Sequence, residues 1–360
     1  MPAALPTGDV FALTAALVDV ASESFHEQEI VSLLEAELRS CAHLTVDRVG
    51  DNLVARTRLG RGRRLILGGH TDTVPANDNA GARIVGDRMY GVGTTDMKGG
   101  VATILELARN VVAPAVDMTY VLYAREEVPA VHNGLLEIER ERPDLLEGDV
   151  ALLGEPTLGA LEAGCQGTLR LAVTVRGARA HTARPWMGRN AVHRLGEVVS
   201  LVAGYEPRRP IVDGCEYREA LQAVSVEGGV AGNVVPDAAT VVINHRFAPD
   251  RTEEEAVAHV REVLAPALEP DDVVELTDLS PAARPGLGDP LLSALVDRNQ
   301  LEVRAKLGWT DVAFFAARGV PASNFGPGDP TIAHTQGEYL ERRWLLDTHA
   351  ALLDLVTNGV

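Results

Sequence analysis

The stretch RLILGGHTD at residues 64–72 decides the fold, because an apolar run ends in two glycines and then in a histidine and an aspartate. Such a run predicts a buried strand, and the polar residues after it predict a site at the strand's carboxyl end. Short apolar runs, turns and helical periodicity alternate around this stretch, which predicts an open α/β sheet. Helices are predicted over residues 10–18 (after an N-cap at Asp9), 26–39, 98–110 and 133–141, and strands over 52–56, 64–67, 119–124 and 149–153.

A second pattern begins at Thr168, where apolar and polar residues alternate with a period of two. The predicted order from there is β-α-β-β-α-β, which is typical of a small α+β sandwich with helices on one face of an antiparallel sheet. Residues 279–288, rich in Pro, Ala and Gly, predict a linker back into the first domain. We therefore expect a discontinuous main domain at residues 1–167 and 285–360, interrupted by an inserted domain at 168–284.

Composition narrows the class of protein. The chain has 360 residues, 46% of them apolar, which is enough for two domains with large cores. Its net charge of −18 repels phosphate backbones and disfavours a general nucleic-acid binder. No stretch reaches the roughly 18 apolar residues of a membrane span, and residues 1–20 contain no Lys or Arg, so we expect no signal peptide. Three widely spaced cysteines indicate a reducing compartment, so we expect a cytoplasmic protein with no membrane partner.

Two aspartates, Asp72 and Asp96, lie close to glycines in the sequence and are candidate site residues. Residues two apart in an extended segment face the same side, so Asp72 can hydrogen-bond the His70 imidazole while its other nitrogen binds a metal. A strand-end cap is the commoner origin of such a pair. Asp96, in GVGTTDMKGG at residues 91–100, either faces a bound group or caps the following helix. Neither position alone decides between these readings.

Adjacent carboxylates follow the next strand. Glu126 and Glu127 repel each other, which suggests a cation that offsets the repulsion or a proton held by one of them, although surface Glu-Glu pairs are common. Glu155 directly follows the predicted strand at 149–153, and His334 lies in a loop rich in Gly and Pro.

The combination of these residues is more informative than any one of them. The residues at or just beyond predicted strand ends are His70, Asp96, Glu127 and Glu155. With His334 they supply two imidazoles and three carboxylates, which a pair of divalent cations roughly 3.5–4 Å apart needs. A set without sulfur suits hydrolytic Zn²⁺, Co²⁺ or Mn²⁺ better than a structural zinc.

Five motifs carry a family resemblance: GGHTDTVP (68–75), MYGVGTTDMKGG (89–100), REEV (125–128), GEPT (154–157) and AHTQGE (333–338). In order and approximate spacing the chain resembles the M20 family of metallopeptidases and amidohydrolases over essentially its whole length. The resemblance implies a zinc-peptidase-like α/β/α catalytic domain with an inserted α+β dimerisation domain. It also implies two Zn²⁺ ions, with Co²⁺ or Mn²⁺ as substitutes.

Roles in the main domain follow from the same resemblance. It implies that Asp96 bridges the two ions, and that the remaining ligands are His70 and Glu155 on one ion and Glu127 and His334 on the other. Glu126 is then the general base, and Asp72 is the catalytic residue that orients His70. These roles agree with the interpretation of the adjacent glutamates given above, because one carboxylate of such a pair can bind a metal while the other takes a proton.

The inserted domain is expected to contribute further residues. The resemblance implies that His181 reaches the active site of a partner subunit and helps stabilise the tetrahedral intermediate, which requires a homodimer through the inserted domain. A surface loop histidine is the alternative. Asn233 and Arg246 resemble substrate-binding positions, and a guanidinium can hold a carboxylate through two hydrogen bonds. Thr310 lies where relatives carry a substrate-contacting loop, but GWTD at 308–311 departs from the wider family's Thr-Ser-Asp pattern.

The implied reaction is hydrolysis of N-succinyl-LL-2,6-diaminopimelate to succinate and LL-2,6-diaminopimelate, in lysine and cell-wall precursor biosynthesis. The stretches EAGCQGTLR (162–170) and NHRFAPDR (244–251) are most similar to actinobacterial enzymes with this activity. Acetylornithine, another acyl amino acid or a dipeptide remains an alternative substrate, because family members share the catalytic residues. A non-catalytic metal-binding scaffold is a further alternative, against which stands the presence of Glu126 beside a full ligand set.

Overall fold

The computed structural model describes residues 5–360 and divides the chain into two compact units. The first unit comprises residues up to Ala163 together with Pro285–Arg304 and Phe314–Val360. The second comprises Gly164–Arg284 and Ala305–Ala313. The segment Ala305–Ala313 thus groups with the second unit, although the sequence analysis placed it within the main domain.

The described helices, in chain order, are α1 Val10–Val18, α2 Gln28–Ser40, α3 Gly99–Asn110, α4 Gly134–Glu141, α5 Ala191–Ala203, α6 Glu253–Leu264, α7 Pro290–Asn299, α8 Val312–Ala317 and α9 Arg342–Asn358. The strands are β1 Thr45–Val49, β2 Asn52–Arg56, β3 Arg64–His70, β4 Arg83–Val85, β5 Arg88–Tyr90, β6 Asp117–Tyr123, β7 Val150–Leu153, β8 Leu161–Ala163, β9 Gly167–Arg176, β10 Ile211–Val212, β11 Cys215–Glu216, β12 Ala220–Gly228, β13 Ala238–Phe247, β14 Val273–Ser280, β15 Val303–Ala305, β16 Ala322–Asn324 and β17 Tyr339–Glu341. Among these helices, none is both long enough and apolar enough to cross a membrane.

An eight-stranded sheet in the order β1-β2-β6-β3-β7-β16-β8-β15 organises the first unit. Its centre is parallel, because β3 pairs in parallel with both β6 and β7, and β16 pairs in parallel with β7. All seven residues of β6 are buried, as expected for a parallel strand that is covered on both faces. The carboxyl ends of β3, β6 and β7 therefore meet at one edge of the sheet, and the predicted α/β class is confirmed.

The second unit contains a four-stranded antiparallel sheet in the order β12-β13-β9-β14. In β9, Leu169, Leu171, Val173 and Val175 are buried, so one face of the strand is covered. Their core also includes residues of α5 and α6. The chain order β9-α5-β12-β13-α6-β14 is the predicted one, except that the short, unpredicted pair β10-β11 lies between α5 and β12. Residues 279 and 280 belong to β14, so the predicted linker begins later than the composition suggested.

Candidate active site

His70 is the last residue of β3, and its side chain is buried. Nδ1 lies 3.0 Å from the Asp72 carbonyl oxygen, which can only accept, so Nδ1 carries the proton. Nε2 faces Asp96 Oδ1 at 3.1 Å. Burial alone lowers the pKa of His70, but hydrogen bonds to Asp72 and Asp96 and the nearby charge of Glu155 raise this pKa well above its usual value. The environment therefore favours a positive charge at Nε2, which suits a proton or a metal ion.

The Asp72 carboxylate organises the segment that carries the two glutamates. Oδ1 accepts the backbone N–H of Glu126 at 3.0 Å, and Oδ2 accepts the backbone N–H of Glu127 at 3.1 Å. Oδ2 also accepts the Ser24 hydroxyl at 2.7 Å. Although burial raises the pKa of Asp72, the bonds from His70 and these donors lower it below its usual value. Asp72 therefore stays ionised and fixes both the His70 ring and the start of the Glu126–Glu127 segment.

Asp96 lies in an irregular turn between Gly93, whose φ is +80°, and α3. Its own backbone is extended, with φ −120° and ψ 96°, and the Asp96–Met97 peptide bond is cis. Oδ1 faces His70, and Oδ2 lies 3.3 Å from His334 Nε2. Burial opposes ionisation, but the two histidines lower the pKa of Asp96 far below its usual value. Each carboxylate oxygen thus faces a different imidazole.

His334 enters the site from a loop before β17 and adopts a left-handed backbone conformation with φ +62°. Its Nε2 lies 2.9 Å from Glu127 Oε1 as well as near Asp96. Hydrogen bonds to Asp96 and Glu127 raise the pKa of His334 to about 10. The imidazole is half exposed, whereas Glu127 and Asp96 are largely buried, so the site opens on the His334 side.

These side chains fit a centre with two divalent cations. Ligand atoms of His70, Asp96 and Glu127 all lie within 4.8 Å of one another. A carboxylate with one oxygen toward each of two histidines has the arrangement of a bridging ligand. Glu155, buried just beyond β7, acts electrostatically on His70 from the neighbouring strand. The structure therefore brings together the five candidate ligands with Asp72 and the Glu126 backbone.

Two supporting residues were not assigned a role from the sequence. Ser24 contacts Asp72 from the segment before α2. Glu338, only 1% exposed, accepts the backbone N–H of Thr95 at 2.9 Å and of Asp96 at 3.2 Å, and burial raises its pKa to about 7. Glu338 occurs in the quoted AHTQGE motif, but Ser24 belongs to no motif that could have marked it.

The four remaining candidates belong to the second unit. His181 is exposed, and its Nδ1 accepts the backbone N–H of Ala183 at 3.0 Å. Asn233 is its neighbour through backbone pairing, since Thr182 N–H donates to the Asn233 carbonyl at 3.0 Å.

Arg246 and Thr310 have unused hydrogen-bonding groups. Arg246 is partly buried on β13, and within residues 5–360 no ion pair or hydrogen bond is formed by its guanidinium. Burial lowers the pKa of Arg246. The buried Thr310 hydroxyl likewise has no hydrogen-bond partner within the described chain.

Comparison with known proteins assigns this chain to a protein family. Residues 66–358 match the model of peptidase family M20/M25/M40, and the chain belongs to this family. The resemblance drawn from the five motifs is therefore confirmed. A succinyl-diaminopimelate desuccinylase of Corynebacterium glutamicum is 44% identical over 353 residues, covering 96% of this chain and 95% of the relative.

Two further similarities agree with that assignment. A candidate succinyl-diaminopimelate desuccinylase, DapE, of Mycobacterium tuberculosis is 51% identical over 332 residues, covering 92% of this chain and 93% of the relative. The crystal structure of a tripeptidase from Staphylococcus aureus superposes with a TM-score of 0.78 at 19% identity, covering 98% of each chain. At that identity the structural likeness supports the fold alone.

Proposed function

We propose that this protein is a metal-dependent amide hydrolase that removes succinate from N-succinyl-LL-2,6-diaminopimelate. The observation that carries the chemistry is Asp96, whose two oxygens face the histidines His70 and His334. The substrate assignment is supported by relatives of that name at 44% and 51% identity over more than nine-tenths of the chain. Hydrolysis of this amide serves lysine and cell-wall precursor biosynthesis.

Two Zn²⁺ ions are the proposed cofactors, with Co²⁺ or Mn²⁺ as substitutes. Asp96 would bridge them, and the proposed ligand pairs are His70 with Glu155 and Glu127 with His334. When bound, such cations polarise an amide carbonyl and lower the pKa of water. The donor set of nitrogen and oxygen supports this choice.

Glu126 is the proposed general base. Its backbone N–H is held by Asp72, while the next residue, Glu127, directs its carboxylate to His334. The Glu126 carboxylate takes a proton from the attacking water and returns it to the leaving amine. The adjacent carboxylates of Glu126 and Glu127 would thus have separate tasks. Asp72 holds both residues in place through their backbone N–H groups.

His181 is proposed to stabilise the oxyanion in the partner subunit's site. Because its Nδ1 accepts an N–H bond, the neutral ring carries its proton on Nε2, which is then a hydrogen-bond donor. A homodimer through the second unit is supported by the edge strand β12, on which Val224 and Val226 are 56% and 58% exposed.

Substrate carboxylates are proposed to bind Arg246, with Asn233 and Thr310 as further polar contacts. A partly buried guanidinium that forms no salt bridge in the described chain, and that only the more distant Asp278 attracts, favours a bound anion, since burying a charge without a direct partner is costly. The net charge of −18 repels such a substrate at long range, so local cations must dominate its binding.

The defining experiment measures amine release by the zinc-loaded protein from N-succinyl-LL-2,6-diaminopimelate, N-acetylornithine and a few dipeptides. Strong preference for the succinylated substrate supports the proposal. Turnover of another substrate keeps the hydrolytic chemistry and rejects the proposed substrate. If the protein binds two metal ions but hydrolyses none of these substrates, a non-catalytic metal-binding scaffold is favoured.

A matched pair of variants tests the two glutamates. Glu126→Gln should keep two metals and lose hydrolysis, whereas Glu127→Gln should lose metal. Substantial hydrolysis by the first variant would contradict the assignment of Glu126 as the base.

Mixing two inactive proteins tests the proposed dimer. Subunits carrying His181→Ala and Glu126→Gln should regenerate activity when mixed, because one hybrid site contains both native residues. No recovery despite measured subunit exchange would contradict action of His181 across the dimer. A cytoplasmic location is also proposed, supported by thiols at Cys41, Cys165 and Cys215 that form no disulfide in the described chain.

A further inference from the structure

We infer that Glu338 is a positioning residue for the metal centre: its buried carboxylate fixes the Asp96 backbone relative to the loop that carries His334. The inference rests on the proposed function, because it takes Asp96 and His334 as metal ligands. It concerns an additional residue, to which neither the sequence motifs nor the proposed mechanism gives a task.

Glu338 connects two loops that are distant in sequence. Its carboxylate oxygen Oε1 accepts the N–H groups of Thr95 and Asp96, which lie 243 and 242 residues earlier. Its carbonyl oxygen accepts the Gly91 N–H at 3.2 Å, and the next residue's carbonyl accepts the Thr95 hydroxyl at 2.7 Å. Glu338 stands only four residues after His334. The same short segment therefore carries one proposed ligand and holds the backbone of another.

The two N–H groups need this acceptor because the chain is not helical there. Asp96 has extended backbone angles, so its N–H and that of Thr95 are held by a side chain. Glu338 and Thr95 are buried, and an unsatisfied buried donor costs about 1–3 kcal/mol, enough to favour another loop conformation. A shift of the Asp96 backbone would move both carboxylate oxygens away from the histidines.

The buried ammonium group of Lys98 also lies in the electrostatic environment of Glu338. Lys98 is 1% exposed, and its Nζ donates to the Val20 carbonyl at 2.7 Å. The negative charges of Glu338 and Asp19 attract it. Any neutral substitution of Glu338 therefore removes a negative charge that attracts Lys98. The variants to be compared must remove this charge equally.

The test compares Glu338→Gln with Glu338→Met. Both replacements are neutral and similar in length, so their effects on Lys98 are alike, but only Gln retains an oxygen that can accept the two N–H bonds. Zinc affinity is measured by metal content across a series of zinc-buffered solutions, starting from the loaded enzyme. We expect Gln to remain within about threefold of wild type and Met to bind zinc about 10- to 100-fold more weakly, as for other residues that support ligands.

Asp117 provides a matched control elsewhere in the first unit. It is a buried carboxylate that accepts the N–H groups of Leu59 at 2.8 Å and Arg61 at 2.9 Å. It begins β6, whose seven residues separate it by about 20 Å from the strand end near Glu126. Asp117→Leu should lower thermal stability relative to Asp117→Asn and leave zinc affinity unchanged.

Each outcome separates the inference from the proposed function. Equal zinc affinity of the Gln and Met variants, with wild type binding two ions, overturns the positioning role. A wild-type protein without zinc affinity refutes the metal centre itself. If Glu338→Met does not fold, Glu338→Asp replaces it, because shortening the side chain moves the acceptor away from both N–H groups. Unchanged zinc affinity in a folded Glu338→Asp would also refute the inference.

Discussion

Replacing Asp72 by Asn tests whether this carboxylate organises the site. Asn has one acceptor oxygen where Asp72 uses two. The least costly orientation puts the oxygen at the Oδ1 position, which keeps the Glu126 N–H bond, and puts the amide nitrogen at the Oδ2 position. There the Ser24 hydroxyl can turn and accept, but the Glu127 N–H loses its acceptor.

The expected size of the effect follows from these contacts. One buried donor left unsatisfied costs about 1–3 kcal/mol, and the lost negative charge beside His70 adds about 1 kcal/mol or more. A total of about 2–4 kcal/mol corresponds to about a 30- to 1000-fold loss in kcat/KM, if the whole cost falls on the active conformation. We expect the loss in kcat and in zinc affinity, with little change in KM, because Asp72 contacts the segment of the proposed base rather than a proposed substrate-binding residue.

Two serines allow a graded version of the same assay. Ser24→Ala removes one hydrogen bond to the Asp72 carboxylate, and we expect about a threefold to tenfold loss in kcat. Ser22→Ala is the control, since the buried Ser22 hydroxyl donates to the Thr71 carbonyl at 2.7 Å and does not contact Asp72. Steady-state kinetics and zinc content would be measured for all three variants. A fully zinc-loaded Asp72→Asn within threefold of wild type, or equal losses for both serines, would refute the reasoning.

Further predictions concern the second unit. Arg246→Ala should raise KM for the succinylated substrate at least tenfold, while the exposed Arg170→Ala should not; an unchanged KM removes Arg246 from the site. Burial lowers the pKa of His245 to about 4, so the unfolded chain binds a proton that the folded one does not between about pH 6.5 and 4. Denaturant unfolding should therefore show stability falling by up to about 3 kcal/mol as the pH decreases through that range, and a flatter dependence in His245→Gln; parallel curves would contradict this. Asp272→Ala should destabilise the unit by about 1.5–3 kcal/mol, because Arg194 loses its bidentate carboxylate partner at 2.7 and 2.8 Å and keeps only the Arg176 carbonyl and the longer Glu269 contact; a loss under 1 kcal/mol would contradict it.

Sequence periodicity predicted the parts of the fold that depend on local burial. The apolar run at 65–67 and the buried strand β6 are recognisable because every residue faces a covered surface. The end of β14 was not recognisable from composition. Ser280 pairs with Thr168 of β9, and this ladder extends the strand to the residue before Pro281, where a backbone donor is lost.

The sequence patterns singled out the candidate side chains that follow strands, and they gave no role to the two supporting residues Ser24 and Glu338. His70, Glu127 and Glu155 follow the carboxyl ends of parallel strands, a position visible in the order of elements. Ser24 and Glu338 act on groups 48 and more than 240 residues away. Their partners depend on the tertiary path of the chain, which single-sequence periodicity does not describe.

The carboxylates of Asp72, Asp96 and Glu338 meet different partners at the site. Asp72 receives two peptide N–H groups, a hydroxyl and the neighbouring imidazole, so the chain's own donors occupy it and little is left to bind a metal. Glu338 likewise receives two peptide groups. Asp96 alone among the three directs its oxygens at two imidazoles, which bind a proton or a metal at those same nitrogens. The division between ligand and support therefore follows from the donors that each carboxylate meets, and substitution by the matching amide should affect Asp72 and Asp96 differently: the first change disturbs geometry, and the second removes metal-binding charge.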